Sequence, residues 1–202
     1  VLCSQEGVRQ GDPLAPVAFA CSIQHLLEQA SRTNPRVLIR AILDDVTLVG
    51  EPSEVLLAFR LLSLALEGEG LAVNRQKCAA VWCHDDQPPA NVAAACQAAG
   101  LELCRSRIIL GAWFGAPGEL HAENGACSRW IREQVEGFGP FFDAIVDQRL
   151  PHQVAYNIIR YCASGKLGFL LRTHPPTACV GSCALFDERC AGAVAARLRS
   201  GS

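Results

Sequence analysis

The sequence predicts an α+β fold in which antiparallel strands pack with helices, followed by a second region that is helical. Two β-branched runs, residues 37–43 and 46–49, flank a pair of acidic residues and predict a hairpin. Apolar residues recur at helical spacing across residues 14–30. Beyond the middle of the chain, the apolar spacing becomes helical throughout. The predicted domains are therefore residues 1–120 and 121–202.

Capping residues mark the first two helices. Asp12 is predicted to be the N-cap of the first helix and Pro13 its first residue, because these residue types are favoured there. Ser53 is predicted to cap the second helix, which ends at Gly68 and Gly70. Leucines occur nearly all round this second helix, so we expect it to be largely buried.

The remaining elements follow from the same periodicities. Asp85 and Asp86 lie among prolines, and we interpret them as a solvated turn and helix start. The three tryptophans are expected to be buried rather than to stack bases. The pattern predicts a strand at 79–83, a helix at 90–99 and a hairpin at 108–115. It also predicts helices near 127–148, interrupted at residues 137–140, and near 151–163 and 183–198.

The acidic pair in the first hairpin is the feature with the clearest chemistry. Asp44 and Asp45 are adjacent, so their carboxylates repel, and near an apolar sheet they are poorly solvated. A hard divalent cation resolves both problems, because carboxylate oxygens are the ligands that Mg²⁺ prefers. The pair therefore predicts a metal-binding hairpin tip, with an ordinary turn as the plainer alternative.

Composition indicates a globular protein. Half of the 202 residues are apolar and 19% are charged. No uninterrupted apolar run approaches the roughly 20 residues that a membrane span needs. The N-terminus lacks the order of basic and apolar residues that a secretory signal shows. We therefore expect an intracellular protein without a membrane partner, with nucleus and cytoplasm left open.

The eleven cysteines are scattered and odd in number, which favours reduced core residues. An alternative concerns the C-terminal region, where Cys179 and Cys183 are separated by three residues and His174 and Cys190 lie nearby. These four residues predict, as a weaker hypothesis, a Zn²⁺-binding interaction module.

Charge is distributed unevenly although the net charge is only −2. From residue 151 onward basic residues exceed acidic residues by four, and the preceding part of the chain carries the compensating acidic excess. This distribution suits a protein that holds a metal in one part and a phosphate backbone in another. Ordinary surface charge explains it equally well.

Three segments carry a resemblance to a known family. Residues 7–16 are similar to the motif GVRQGDPLSP, with Ala15 in place of the Ser. Residues 42–45 are similar to the metal-binding YxDD-type box, with Ile42 where the aromatic residue usually lies, and residues 70–77 are similar to the GLxLNxxK box. In this order and spacing the segments resemble reverse transcriptases of the non-LTR retrotransposon type.

The resemblance continues more weakly downstream. Residues 110–115 resemble the hairpin that grips the primer in this family, and residues 150–162 and 172–176 resemble the region after the palm. The resemblance implies a partial polymerase palm in residues 1–120 and a thumb-like region in residues 121–202. The implied activity is RNA-directed DNA polymerisation by a two-metal mechanism. The implied partners are an RNA template, a DNA primer and dNTPs, and the implied cofactor is Mg²⁺ or Mn²⁺.

The resemblance also implies roles for individual residues. Asp44 and Asp45 would be the catalytic metal ligands, and Asp44 would be the more direct of the two. The predicted substrate-binding residues are Arg9, Gln10, Gly11 and Lys77. Lys77 offers a cation to the incoming triphosphate or the leaving pyrophosphate. A glycine before a helix N-terminus allows close backbone approach of a nucleotide or template, and Arg9 is a candidate for a phosphate contact.

The ends of the chain add an expectation about its extent. The chain begins at Val1 and contains no Met, which predicts a segment of a longer polypeptide whose upstream portion is missing. The family carries a third catalytic Asp upstream of the Gln-Gly-Asp-Pro box, and this segment has no room for it. The enzyme would therefore be the longer parent. The alternative is a catalytically inactive retroelement remnant that retains the fold and a nucleic-acid-binding surface.

Overall fold

The computed structural model describes residues 12–199. Helices and short strands alternate in the first half of this range, and helices follow in the second half. The strands are β1 (Leu38–Ile42), β2 (Asp45–Val49), β3 (Ala79–Val81), β4 (Glu102–Cys104), β5 (Ser106–Ile109) and β6 (Ala112–Gly115). The α-helices are α1 (Ala15–Thr33), α2 (Pro52–Gly68), α3 (Ala90–Ala98), α4 (Pro117–His121), α5 (Ala126–Glu136), α6 (Gly139–Val146), α7 (His152–Ile158), α8 (Ser164–Thr173) and α9 (Pro176–Arg199).

Within the described range the strands form three separate two-stranded sheets, which pair β1 with β2, β3 with β4, and β5 with β6. The first and third sheets are antiparallel hairpins, as their sequences predict. The structure is therefore a mixture of helices and small sheets. A polymerase palm stays a prediction, because two-stranded pairs occur in many folds.

The contacts divide the chain into two units, and the first comprises residues 12–80 and 88–103 of the described range. Its core lies where helices α1 and α2 pack on the β1–β2 hairpin. Burying these side chains on one face supplies the main driving force for this unit. The core residues are Leu26, Ala30, Val37, Ile39, Ala58 and Leu62.

Helix α2 differs from the sequence-based expectation that it is largely buried. Ala58 and Leu62 are buried, but Leu57, Leu61 and Leu64 on the same helix are 54%, 44% and 59% exposed. Helices α1 and α3 and strand β2 pack against α2 but do not surround it. The leucines on the other side therefore remain at the surface.

The second unit comprises residues 81–87 and 104–199 of the described range. Its core is larger and is built around helices α5, α6, α8 and α9. Ile131, Val135 and Ile145 are fully buried, and the rings of Phe142 and Phe186 meet edge to face with centroids 5.6 Å apart.

The grouping of contacts differs from the predicted domain boundary at residue 120. Residues 104–120 belong with the helices because Trp113 on β6 is buried in the helical core and β6 packs on α4 and α5. The sequence-based boundary relied on the change from strand to helix periodicity. Packing instead assigns the third hairpin to the helical unit.

Several helix ends also differ from the sequence-based assignments. Helix α1 begins at Ala15 with Leu14 as its N-cap, and Asp12 caps only the preceding turn, where its Oδ1 accepts the Leu14 N–H at 2.9 Å. Helix α2 begins at Pro52, so Ser53 lies inside the first turn rather than at the N-cap. Proline stands early in both helices, because its missing N–H costs nothing there.

The helical run from His152 to Thr173 contains a π-helical stretch. Residues Ile159–Ala163 form this stretch between α7 and α8. The last helix, α9, begins at Pro176, seven positions before the predicted start. None of the helices within residues 12–199 is both long enough and apolar enough to cross a bilayer.

Candidate nucleic-acid and metal site

The β1–β2 hairpin places the acidic pair at its tip. Ile42 pairs with Asp45, so the connecting turn consists of Leu43 and Asp44. The prediction that Asp44 and Asp45 together form the turn is therefore wrong by one position, and Asp45 is the first residue of β2. Leu43 takes a φ of 55°, which a tight two-residue turn requires and which a leucine adopts only at a cost.

Both carboxylates are exposed, and the apolar residues beside them are exposed as well. Ile42 is 57% and Leu43 is 45% accessible, so the hairpin tip presents two acidic and two apolar side chains together. The hairpin fixes the positions of the carboxylates because β1 and β2 are paired along their whole length. The structure thus brings Asp44 and Asp45 together on a defined element.

The two carboxylates are the type of ligand that Mg²⁺ prefers, but they are too few to fill its coordination shell. Mg²⁺ is commonly held by one or two carboxylates together with substrate phosphates and water. Asp44 and Asp45 supply two carboxylates, and among residues 12–199 no group of three or more Asp, Glu, His or Cys side chains is arranged to hold a metal ion. A metal at this tip would therefore depend on oxygens beyond these two side chains.

The other predicted substrate-binding residues fall in two places. Lys77 is exposed and closes a turn at residues 75–77, where its N–H donates to the Asn74 carbonyl at 3.0 Å. The turn lies immediately before β3 and apart in sequence from the hairpin tip. Arg9, Gln10 and Gly11 lie outside the described residues.

The third hairpin carries a cavity that the sequence did not predict. The cavity is open, measures about 400 Å³, and is lined by Ser106, Arg107, Ile108, Trp113 and Trp130. The indole of Trp113 is 6% exposed, which agrees with the expectation of burial, whereas Trp82 and Trp130 are only partly buried. A partly buried indole next to a cavity keeps a ring face near the surface.

The predicted Zn²⁺ module at the C-terminus is wrong. The four residues do not form a metal-binding group, and His174 is engaged elsewhere: its Nε2 accepts the Trp113 N–H at 3.0 Å. Burial raises the pKa of the thiols of Cys179, Cys183 and Cys190, as is typical of buried structural cysteines. Sequence spacing alone did not show that the histidine is committed to a backbone amide.

The loop with the second acidic pair is more ordered than sequence reasoning indicated. Asp85 and Asp86 are exposed, as predicted, but the following helix begins only at Ala90. Asp85 Oδ1 accepts the Gly118 N–H at 2.7 Å, and the guanidinium of Arg105 donates to the carbonyls of residues 84–86 at 2.8 to 3.1 Å. The Asp85 carboxylate and the backbone carbonyls of this loop therefore stabilise the loop through hydrogen bonds to Gly118 and Arg105.

The sequence analysis predicted a basic C-terminal region but not the exposed aromatic side chains on the surface of the helical unit. Tyr156 and Tyr161 are 57% and 67% exposed on the run from α7 to α8, and the guanidinium of Arg160 lies over the Tyr161 ring, 5.2 Å from its centroid. A sequence signal was available, because residues 148–186 contain no Asp or Glu but do contain Arg149, Arg160, Lys166 and Arg172.

Comparison with known proteins gives one relevant match. No family model matches the chain, and no solved structure matches it. The chain is 28% identical over 190 residues to the retrotransposable element SLACS 132 kDa protein of Trypanosoma brucei gambiense. The match covers 92% of this chain and 14% of that protein, so the chain spans a small part of its relative's length. The similarity indicates that this is a retrotransposon-related protein.

Proposed function

We propose that this chain is part of a retrotransposon RNA-directed DNA polymerase, which extends a DNA primer on an RNA template with dNTPs. The observation that carries the proposal is the acidic pair at the tip of the β1–β2 hairpin, in a chain similar along nearly its whole length to a retrotransposable-element protein. The GVRQGDPL and GLAVNRQK segments on either side of the hairpin in sequence support the same interpretation.

In this proposal the chain's residues position charge rather than form covalent intermediates. Asp44 and Asp45 would hold divalent ions, which when bound stabilise the charge that builds up during phosphoryl transfer. Lys77 would contact the triphosphate or pyrophosphate, and Arg9, Gln10 and Gly11 would approach the nucleotide or template. The hairpin keeps the carboxylates in one place, which lowers the entropic cost of binding.

Incorporation of dNTPs tests the catalytic part of the proposal. A longer polypeptide that carries this chain, with an upstream segment supplying a further carboxylate, is assayed on an RNA template with a DNA primer in Mg²⁺ or Mn²⁺. We expect template-dependent incorporation that Asp44→Ala reduces to background. Asp143→Ala is the matched control, because Asp143 is an exposed carboxylate on α6, away from the hairpin in sequence.

Metal binding by the chain itself gives a second readout. Titration with Mn²⁺ should broaden the NMR signals of residues 42–46 before those of other acidic segments, and Asp44→Asn combined with Asp45→Asn should remove this preference. Equal broadening around Asp85 and Asp86 would contradict the assignment of the metal to the hairpin tip.

The inactive remnant remains the second candidate. It is favoured by two departures from the family motifs, namely Ala15 in place of the Ser and Ile42 in place of the aromatic residue of the YxDD-type box. A folded longer polypeptide that binds primer and template but incorporates nothing would support it. Incorporation that survives Asp44→Ala would instead show that the site lies elsewhere.

A further inference from the structure

The helical run from α7 through the π-helix to α8 has one buried and one exposed face. Ala155, Ala163, Leu167 and Leu170 are buried against the core of the second unit. Large aromatic and basic residues lie among the exposed positions of the same run. We call the exposed side chains of Tyr156, Arg160, Tyr161, Phe169 and Arg172 the aromatic–basic face.

This face is positively charged and lacks competing carboxylates. Residues 148–186 contain no Asp or Glu, so the helical run that carries the face has no acidic side chain. Within residues 12–199, no carboxylate lies within ion-pair distance of Arg160, Lys166 or Arg172. Guanidinium groups without a carboxylate partner are available to a polyanion.

The aromatic rings on this face are unusually exposed. Tyr156, Tyr161 and Phe169 are 57%, 67% and 43% exposed, although large aromatic side chains usually bury most of their surface. Arg160 lies over the Tyr161 ring, so guanidinium and ring already form a layered pair. The π-helical turn, Ile159–Ala163, contains both residues, and such turns often occur at functional sites.

We propose that the aromatic–basic face binds single-stranded nucleic acid. Unpaired bases stack on Tyr156 and Tyr161, while Arg160 and Arg172 contact phosphates. Stacking requires a base whose ring face is free, and a continuous duplex does not offer one, so the exposed rings favour a single strand. The class of partner rests on the proposed function, whereas the surface itself involves neither Asp44 nor Asp45.

Fluorescence anisotropy of the full chain with labelled 20-mers tests the proposal. The probes are oligo(U), oligo(dT) and a blunt duplex of the same length, with polyglutamate as a competitor. We expect both single strands to bind more tightly than the duplex and affinity to fall as salt rises. Tyr161→Ala should weaken single-strand binding by roughly 5-fold or more, because each base–aromatic stack contributes about this factor.

A glycine on the same helices allows a steric and electrostatic block that leaves the fold intact. A Cβ atom added at Gly165 meets no heavy atom within 4 Å, and the same holds for Gly192 on α9. Both residues are exposed, and both lie inside helices. Gly165→Glu should weaken binding by roughly 10-fold, while Gly192→Glu, with the same change of net charge, serves as the matched control and should change it much less.

Defined outcomes would overturn the proposal. Equal losses from the two glycine variants would show a diffuse charge effect. Duplex binding as tight as single-strand binding, or displacement by polyglutamate at equal charge, would show a general polyanion surface. If none of the probes binds, the proposal that this face binds nucleic acid is wrong. Binding without incorporation counts against the polymerase alone, and incorporation with unaltered binding by Tyr161→Ala counts against this face alone.

Discussion

The imidazole of His174 accepts a hydrogen bond from the backbone N–H of Trp113, with 3.0 Å between Nε2 and the amide nitrogen. The acceptor role of Nε2 assigns the proton to Nδ1, which lies 3.0 Å from the carbonyl oxygen of Leu170 and 2.9 Å from the Thr173 hydroxyl. His174 is 6% exposed, and its ring also lies 5.4 Å from the Trp130 ring, centroid to centroid. One buried side chain thus joins the β5–β6 hairpin to the end of α8.

Replacing His174 should destabilise the helical unit. In His174→Ala the Trp113 N–H loses its buried acceptor and a cavity opens beside Trp130, so we expect a loss of about 2–4 kcal/mol in the free energy of unfolding. Urea denaturation followed by tryptophan fluorescence measures this loss. His25→Ala is the control, because the side chain of His25 is 59% exposed, and it should change stability by less than about 0.5 kcal/mol. Similar losses in both variants would contradict the role of the buried bond.

The turn between β5 and β6 holds Leu110 in a strained backbone conformation that a substitution should relieve. Leu110 and Gly111 have φ angles of 50° and 79°, and in such turns Asn-Gly is preferred. Leu110 is 50% exposed, so Leu110→Asn gives up little burial and should stabilise the hairpin by about 0.5–1 kcal/mol.

Thermal unfolding measures the effect at Leu110. Leu171→Asn is the matched control, since Leu171 is similarly exposed but helical, and Asn should be slightly unfavourable there. A lower melting temperature for Leu110→Asn than for the wild-type protein would mean that the leucine side chain contributes more packing than its exposure indicates.

Arg105 should order the loop that contains the second acidic pair. Arg105→Lys keeps the charge but loses the planar fork that reaches three carbonyl oxygens, so residues 84–87 should exchange amide hydrogens roughly 10-fold faster. The overall loss of stability should be about 1–2 kcal/mol.

Hydrogen exchange measured by mass spectrometry distinguishes this local effect from a general effect of replacing an arginine by a lysine. Arg132→Lys alters an exposed pair with Glu136 and should leave the loop unchanged. Unaltered exchange of residues 84–87 in Arg105→Lys would show that Asp85 and the prolines hold the loop without the guanidinium.

Asp147 should contribute stability that is lost in acid. Hydrogen bonds from the guanidinium of Arg149, and then from its N–H, lower the pKa of Asp147 from an ordinary value near 3.8 to about 2. Because the pKa in the folded state is depressed, this contribution is present above about pH 4 and disappears as the pH falls towards 2. The wild-type protein should therefore lose its advantage over Asp147→Asn across this window.

Urea midpoints at pH 5, 3.5 and 2 test this pH dependence. The difference between the wild-type protein and Asp147→Asn should be largest at pH 5 and smallest at pH 2. Asp143→Asn, which alters an exposed carboxylate on α6, provides the comparison. A difference that stays constant with pH would mean that the amide side chain in Asp147→Asn keeps the same hydrogen bonds to Arg149.

The local residue pattern was sufficient to predict the helices and strands that are determined by neighbouring residues. The β-branched runs around Asp44 and Asp45 predict a hairpin, the structure contains it, and the helix at residues 90–98 agrees with its predicted bounds within one residue. The exact turn was not predictable, because Leu43 is an unusual residue at a positive φ. The polymerase assignment of this hairpin stays a prediction, carried by motifs and supported by the similarity to a retrotransposon protein.

What the sequence determined by itself is the set of elements, the acidic hairpin tip and the carboxylate-free segment at residues 148–186. Only the tertiary structure decided that His174 binds the Trp113 amide instead of a metal, that α2 leaves its second face exposed, and that Tyr156 and Tyr161 share a surface with Arg160. Periodicity and capping act between neighbours in the chain. Burial and long-range hydrogen bonds depend on which distant residues come into contact. Those contacts cannot be predicted from the local residue pattern of one sequence.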